Sequence, residues 1–385
     1  MYRVCSERLG CQTSAFSRPF ASSSKSFLET EKSVRPRGST LAAYSDLAKA
    51  KLSALVVTTS AAGYVAAAGP VLTSDFALCM MGTALCSSSA AAFNQIFEID
   101  RDSCMKRTQT RPLVTGALSP AEAKAAATLW GVSGTALLTM TDPIAAALGF
   151  GNILLYSVVY TYLKPRSVIN TWVGAVVGAV PPLIGYSAAT GGALDAQAIL
   201  LGATLYAWQM PHFFALSYMH RIDYARGGFQ MLSCVDPDKA AKLIVRYTWY
   251  LSALPLMSTA AGMTSSMFAL EGIVLNAYAL KIAQRFRNEQ TNSNARKVFL
   301  TSLWYLPCWL MLYLLHSKVW DEDEMDDPVV RYLHDTVHAV RSKGRNLCPH
   351  EYAAAEKGDE ACPVTITKQT TQKIAQHSQQ EASAT

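Results

Sequence analysis

Apolar residues fall in nine long runs, with approximate limits 46–68, 75–97, 119–140, 143–163, 169–189, 196–217, 245–263, 267–286 and 297–316. Each is close to the roughly 20 residues a helix needs to cross the hydrocarbon of a bilayer. Stretches such as Leu148–Leu163 and Ala198–Ala207 show little of the polar face that a soluble helical bundle requires. Gly, Ala and Ser are frequent within the runs, as expected where membrane helices approach one another closely. The pattern predicts an all-α membrane protein, a bundle of nine transmembrane helices over residues 41–316.

The connecting loops are unevenly charged. Those on one side hold sixteen Lys and Arg, from Arg101 to Lys297, whereas 69–75, 141–142, 190–195 and 264–266 hold none. Such a split sets the orientation of a membrane protein. It also supports the count of spans, because a missed helix would scramble the alternation. The same clustering excludes nucleic acid as a partner, which a net charge of +6 would otherwise suggest. Only 16% of residues are charged, against about 25% in ordinary soluble domains. With a mean hydropathy of +0.15, that excludes an ordinary cytosolic enzyme. The nine cysteines are odd in number and contain no Cys-x-x-Cys, which argues against a disulfide framework or a zinc ribbon.

Two polar segments flank the apolar region. Residues 1–38 are Ser-rich and basic, with Glu7, Glu29 and Glu31 as their only acids and no apolar core. They read as a mitochondrial transit peptide or disordered leader. Residues 317–385 form a polar tail that opens on an acidic patch, Asp321 to Asp327, and is expected to be disordered after Pro363. His334 and His338 stand at i and i+4 but lack a nearby third ligand, so they read as a helix face and not as a metal site.

The chemistry lies on the basic side. Asn94, Glu98 and Asp102 continue straight out of the second run at i, i+4 and i+8. On a helix they lie within about 80° of one another, over about 12 Å. An amide and two carboxylates on one face form a hard-oxygen set of the kind Mg²⁺ uses, with the remaining positions left to water and phosphate. Lys106, Arg107 and Arg111 follow. Acids that hold a metal beside cations that grip oxygens suit an anionic phosphate substrate. Lys164 and Arg166 stand at another helix mouth on that side, after Tyr160. A third cluster holds His212, Arg221 and Asp223. His212 and Asp223 are eleven apart, so they would share a face on one continuous helix. A transporter would spread its charges along a path across the bilayer. Here they collect at one face. An assembly scaffold, using the acidic tail as its contact surface, is a further alternative.

These motifs resemble the UbiA superfamily of intramembrane prenyltransferases. The resemblance covers residues 44–315. Its signature is matched by Asn94, Glu98 and Asp102, then Arg107, Thr108, Arg111, Pro112 and Leu113. Tyr160-Thr-x-Leu163-Lys164, Pro181-Pro182, Trp208-Gln209-x-Pro211-His212-Phe213 and Asp223-Tyr224-x-x-Gly227 resemble the branch that prenylates haem. Lys49-Ala50-Lys51 departs from a Lys-Pro-Arg pattern. The resemblance implies a central substrate cavity opening on the matrix side of the mitochondrial inner membrane. It implies farnesyl diphosphate and haem B as substrates, Mg²⁺ as cofactor, and cytochrome oxidase assembly or haem A synthesis proteins as possible partners. It places Asn94, Glu98 and Asp102 on Mg²⁺–diphosphate and Arg107, Arg111, Lys164 and Arg166 on diphosphate oxygens. Lys51, Tyr160 and Arg221 become substrate-binding candidates. His212 and Asp223 belong near the second substrate or the diphosphate. A quinone precursor in place of haem is the neighbouring possibility.

Overall fold

The computed structural model describes residues 39–321 and 328–345, with side chains as far as Ser342. The leader expected over residues 1–38 and the disorder expected after Pro363 lie outside the described residues. Those described are helical and contain no β-strand, only an isolated bridge between Thr264 and Ser317. In chain order come α1 (Thr40–Leu47), α2 (Ala50–Ala66), α3 (Ser74–Ser103), α4 (Pro120–Thr141) and α5 (Pro143–Leu154). A π-helical segment (Leu155–Tyr160) then leads into α6 (Thr161–Leu163). After it come α7 (Asn170–Thr190), α8 (Ala196–Met219), α9 (Arg221–Arg226), α10 (Leu232–Val235), α11 (Pro237–Ala260), α12 (Ser266–Asn288) and α13 (Asn292–His316). A 3₁₀ turn and α14 (Pro328–Arg345) close the described chain.

Among the described residues five helices are long and apolar enough to cross a membrane: α3, the continuous segment Pro143–Leu163, α7, α12 and α13. α2 is apolar but shorter. Local chemistry explains where the helices start. Ser119 and Glu122 form a reciprocal capping box ahead of Pro120. Asp142 accepts from Ala145 N and opens α5; Asp195 accepts from Gln197 N and Ala198 N and opens α8. Asp195 also accepts from the Tyr186 hydroxyl at 2.7 Å, which ties the end of α7 to the start of α8.

Small residues let the central helices approach closely. A side chain at Gly185 of α7 would overlap the Ser60 carbonyl of α2, and one at Gly134 of α4 would come within 2.8 Å of the Cys86 nitrogen of α3. Both crossings bring backbone against backbone, where dispersion and not water drives packing in a bilayer. Pro181 inside α7 cannot donate to Val177, and the freed carbonyl accepts instead from Asn152 Nδ2 at 3.1 Å.

Two departures from the expected pattern shape the site. The first apolar run is broken. Lys49 adopts a left-handed conformation (φ 49°, ψ 49°) between α1 and α2. Gln95 of α3 donates to the Leu47 carbonyl at 2.8 Å and to the Asp46 carbonyl, which also accepts from Lys49 N. The sixth run forms a helix close to its expected limits, but that helix does not continue to Asp223. α8 stops at Met219 and α9 starts at Arg221, so His212 and Asp223 are not on one continuous helix.

Candidate active site

The predicted face of α3 forms as a buried row. Asn94, Glu98 and Asp102 are 1%, 2% and 1% exposed. Charges that deep need partners, and other helices supply them. Lys164, just past α6, places its Nζ 3.0 and 2.9 Å from the two Glu98 oxygens. Arg111, in the loop after α3, pairs with Asp102 Oδ2. Thr108 folds that loop back by donating to the Asp102 carbonyl at 2.8 Å. Asp102 Oδ1 is buried and has no partner.

Lys49 completes the row. Its Nζ donates to Asn94 Oδ1 at 3.0 Å and to the Tyr156 hydroxyl at 3.3 Å. This contact turns the Asn94 oxygen toward Lys49. Asn94 Nδ2 then donates to Thr161 Oγ1 at 3.1 Å. The π-helical segment makes this possible. Thr161 Oγ1 reaches back five residues to the Tyr156 carbonyl at 3.0 Å, and the Tyr156 and Tyr160 rings stack at 5.2 Å. Such π-turns often mark functional sites.

A roof closes the row from the loop after α9. Arg101 donates to the Gly227 and Gly228 carbonyls, and Gly228 has a positive φ of 67°. The turn brings Phe229 over the Lys164 ammonium at 4.2 Å and sends Gln230 N to the Lys164 carbonyl at 2.9 Å. Arg107 lies 5.6 Å over the Tyr224 ring. His220, beyond the end of α8, is held below its ordinary pKa range by burial and then by the charge of Arg107, with Asp223 opposing. Beneath the row lies an apolar cavity of about 280 Å³ between α2, α3, α5, α7 and α8. Tyr156, Tyr160, Asn152, Gln209, Phe213 and Tyr224 are on its wall.

The structure thus gathers Asn94, Glu98, Asp102, Arg111 and Lys164 into one contact network and sets Tyr160 on the cavity wall. Arg107 and Asp223 stand at its edge, with Asp223 paired to Arg226 at 3.3 Å. Four candidates stand elsewhere. Lys51 is on the exposed face of α2. Arg166 turns outward to the Tyr162 carbonyl and lies 3.9 Å over that ring. Arg221 donates to the Tyr218 carbonyl and to Asn292 Oδ1. His212 is packed between α8 and α13, bonded to Ser302 Oγ at 2.8 Å and stacked on Trp208. Physically, long side chains settle on the nearest carbonyl or ring, and charge at a helix mouth does not say which way they turn. Lys49 and Tyr156 are the contacts that sequence spacing missed. The Lys49-Ala50-Lys51 doublet was the available signal for Lys49, but only Lys51 was named from it as a candidate.

Buried, paired carboxylates thus stand beside an apolar cavity between membrane-type helices. The chain belongs to the UbiA prenyltransferase family, which it matches over residues 55–307. It is 45% identical over 269 residues to the protein named protoheme IX farnesyltransferase, mitochondrial, of Homo sapiens, a match covering 70% of this chain and 60% of that one. The protein of the same name from Arabidopsis thaliana is 45% identical over 278 residues, 71% of this chain and 64% of the relative. The chain therefore spans less than two thirds of either relative's length. Among solved structures, a digeranylgeranylglyceryl phosphate synthase superimposes with a TM-score of 0.62 at 14% identity, covering 72% of this chain and 98% of that one. A UbiA homolog from Archaeoglobus fulgidus bound to DMAPP and Mg²⁺ gives 0.53 at 14% identity, covering 70% and 98%. At such identities the likeness shows the shared fold.

Proposed function

We propose that this chain joins the farnesyl group of farnesyl diphosphate to a vinyl group of haem B, giving haem O and diphosphate. It would work as a nine-helix protein of the mitochondrial inner membrane, with its basic loops and the polar row facing the matrix. The names of the Homo sapiens and Arabidopsis thaliana relatives support both the reaction and the compartment. The observation that carries the reading is the buried Asn94–Glu98–Asp102 row, with its unpartnered Asp102 oxygen, set over an apolar chamber.

The donor set fits Mg²⁺. Asn94 Oδ1, Glu98 and the free Asp102 oxygen line one helix face, and a buried carboxylate oxygen without a donor is costly unless a cation meets it. Among the described residues no group of three His, Cys, Asp or Glu is placed to hold a metal unaided. Mg²⁺ characteristically takes one or two carboxylates plus substrate phosphates. That the Archaeoglobus fulgidus homolog was solved bound to both DMAPP and Mg²⁺ supports a metal acting together with a diphosphate. When bound, Mg²⁺ supplies neutralisation of the leaving diphosphate.

The chain's own residues do the rest. Lys164 and Arg111, which neutralise Glu98 and Asp102 here, turn to the diphosphate oxygens once those carboxylates are engaged. Lys49 holds the Asn94 amide and the Tyr156 hydroxyl in place. The stacked faces of Tyr156 and Tyr160 stand at the mouth of the chamber, where a ring face favours an adjacent allylic cation. The apolar walls hold the farnesyl chain and keep bulk water from that cation. The vinyl carbon then attacks the allylic carbon as the diphosphate leaves.

The test is to incubate the full chain, reconstituted in lipid, with haem B, farnesyl diphosphate and Mg²⁺, and to weigh the extracted haem. A product heavier by a hydroxyfarnesyl group, absent without Mg²⁺, is the expected result. Unmodified haem beside a prenylated quinone precursor would overturn the acceptor and leave the family chemistry standing. No prenylation of either by folded protein would overturn both.

A further inference from the structure

Six buried side-chain polar atoms among the described residues have no partner, and one of them, Asn152 Oδ1, belongs to a residue on the cavity wall. Its amide orientation is fixed by its surroundings. Pro181 has no N–H for the Val177 carbonyl, so that carbonyl accepts from Asn152 Nδ2 at 3.1 Å. A carbonyl cannot donate, so the nitrogen must face Val177 and the oxygen must face away. Neighbouring wall amides are tied down differently. Gln209 Nε2 donates to the Ala175 and Leu205 carbonyls, and Asn170 Nδ2 donates to the Ser167 and Gln230 carbonyls while its oxygen accepts from Thr171. Asn152 thus offers a fixed acceptor with nothing to accept from. Asn152 in α5 precedes Tyr156 of the π-helical segment by four residues, and both are on the wall of the same cavity.

The proposed reaction, on which this inference rests, has a need that fits that oxygen. When the vinyl π electrons bond to the allylic carbon, the carbon–oxygen bond to diphosphate breaks and its electron pair leaves with the diphosphate. Positive charge is left on the vinyl carbon attached to the macrocycle. That cation has two fates. Water can add its lone pair and lose a proton, giving the hydroxylated side chain. Alternatively the cation can lose a proton directly and give an alkene one water lighter. A chamber walled mainly by apolar groups favours the alkene unless one water is held in place.

We propose that Asn152 holds the water that captures this second cation. Its Oδ1 accepts one hydrogen of the water and turns the lone pair toward the carbon. The amide is not a base, and the released proton passes to the diphosphate formed in the same turnover. On this proposal the mainly apolar wall would hold one water, at an amide whose orientation follows from a proline in the neighbouring helix. Asn152 would decide which product forms, whereas the α3 row governs whether the first bond breaks.

The experiment compares haem products of the lipid-reconstituted full chain and two variants by mass. Asn152→Leu keeps bulk and removes the acceptor; Asn152→Ala removes the same oxygen without adding bulk. The expected result is a rise of at least tenfold in the ratio of dehydrated to hydroxylated product in Asn152→Leu, with a shift in the same direction in Asn152→Ala. An unchanged ratio in both variants overturns the role of Asn152 and leaves the farnesylation reading intact. A parent chain that leaves haem unmodified overturns the underlying reading, and this inference with it.

Discussion

The Lys164–Glu98 pair offers the sharpest test of how the site is held. Its atoms are 2.9 Å apart and both side chains are almost wholly buried. At an effective dielectric of about 20, the attraction at that distance is about 6 kcal/mol. Taking both ions out of water cancels most of it. The net value of the intact pair is therefore small, but the cost of breaking it is not. Lys164→Met strands the Glu98 carboxylate against apolar walls, and Glu98→Gln strands the ammonium. Each single change should cost about 3–5 kcal/mol. The double variant leaves no unpaired charge and keeps the volume, so it should cost far less than the sum, with a coupling of about 3 kcal/mol. The assay is unfolding of the purified chain by titrated denaturing detergent, followed by tryptophan fluorescence, for the parent and all three variants. Costs that simply add would refute the reasoning, because independent losses mean the two groups do not neutralise each other.

Three further outcomes follow from the geometry. Asp102→Asn should abolish Mg²⁺-dependent farnesyl diphosphate consumption while the protein still fractionates with membranes; near-normal turnover would sink the metal assignment. Lys49→Met should lower kcat/KM at least tenfold, because it unties Asn94 and Tyr156 together, whereas Lys51→Met should stay within about twofold. Steady-state kinetics on the two variants decides between them. Gly185→Ala drives a methyl into the Ser60 carbonyl, a backbone atom that cannot rotate away, and should cost about 1–3 kcal/mol in the same unfolding assay.

How much of this was legible in the sequence depended on what kind of force placed each group. The Asn94–Glu98–Asp102 face was legible because helical periodicity alone fixes it, and α3 runs unbroken from Ser74 to Ser103. The loop positions were legible because charge asymmetry marks them. The break at Lys49 was not: no Gly or Pro announces it, and a residue of α3, Gln95, holds it open by capping the end of α1. Tertiary contacts of that kind override a continuous apolar pattern. The π-turn at Leu155–Tyr160 is equally silent, since its extra residue leaves the composition unchanged. It nonetheless decides that the Tyr156 and Tyr160 rings stack. His212 and Asp223 do not share one helix face, for a related reason. Their spacing assumes a helix that ends at Met219. Arg166 and Arg221 each turn to a local carbonyl and ring, contacts that charge counting does not weigh.

The pairing of every carboxylate in the row also predicts how ligands must enter. Mg²⁺ arriving alone would have to draw Glu98 from Lys164 and Asp102 from Arg111, leaving two cations buried beside a third. Diphosphate arriving alone would face the two carboxylates. If both arrive, the carboxylates pass to the metal and the cations to phosphate oxygens, so each charge keeps an opposite neighbour throughout. Binding should therefore be strongly coupled, and by linkage the coupling must be the same in both directions. A tenfold effect, about 1.4 kcal/mol, is the least this exchange implies. Calorimetric titration of the detergent-solubilised chain measures it, using Mg²⁺ with and without a non-ionisable farnesyl diphosphate analogue, then the analogue with and without Mg²⁺. Equal shifts of at least tenfold are expected in the two series. Unchanged Mg²⁺ affinity in the presence of the analogue would mean that the buried pairs do not exchange, and that metal and diphosphate do not meet on the α3 row.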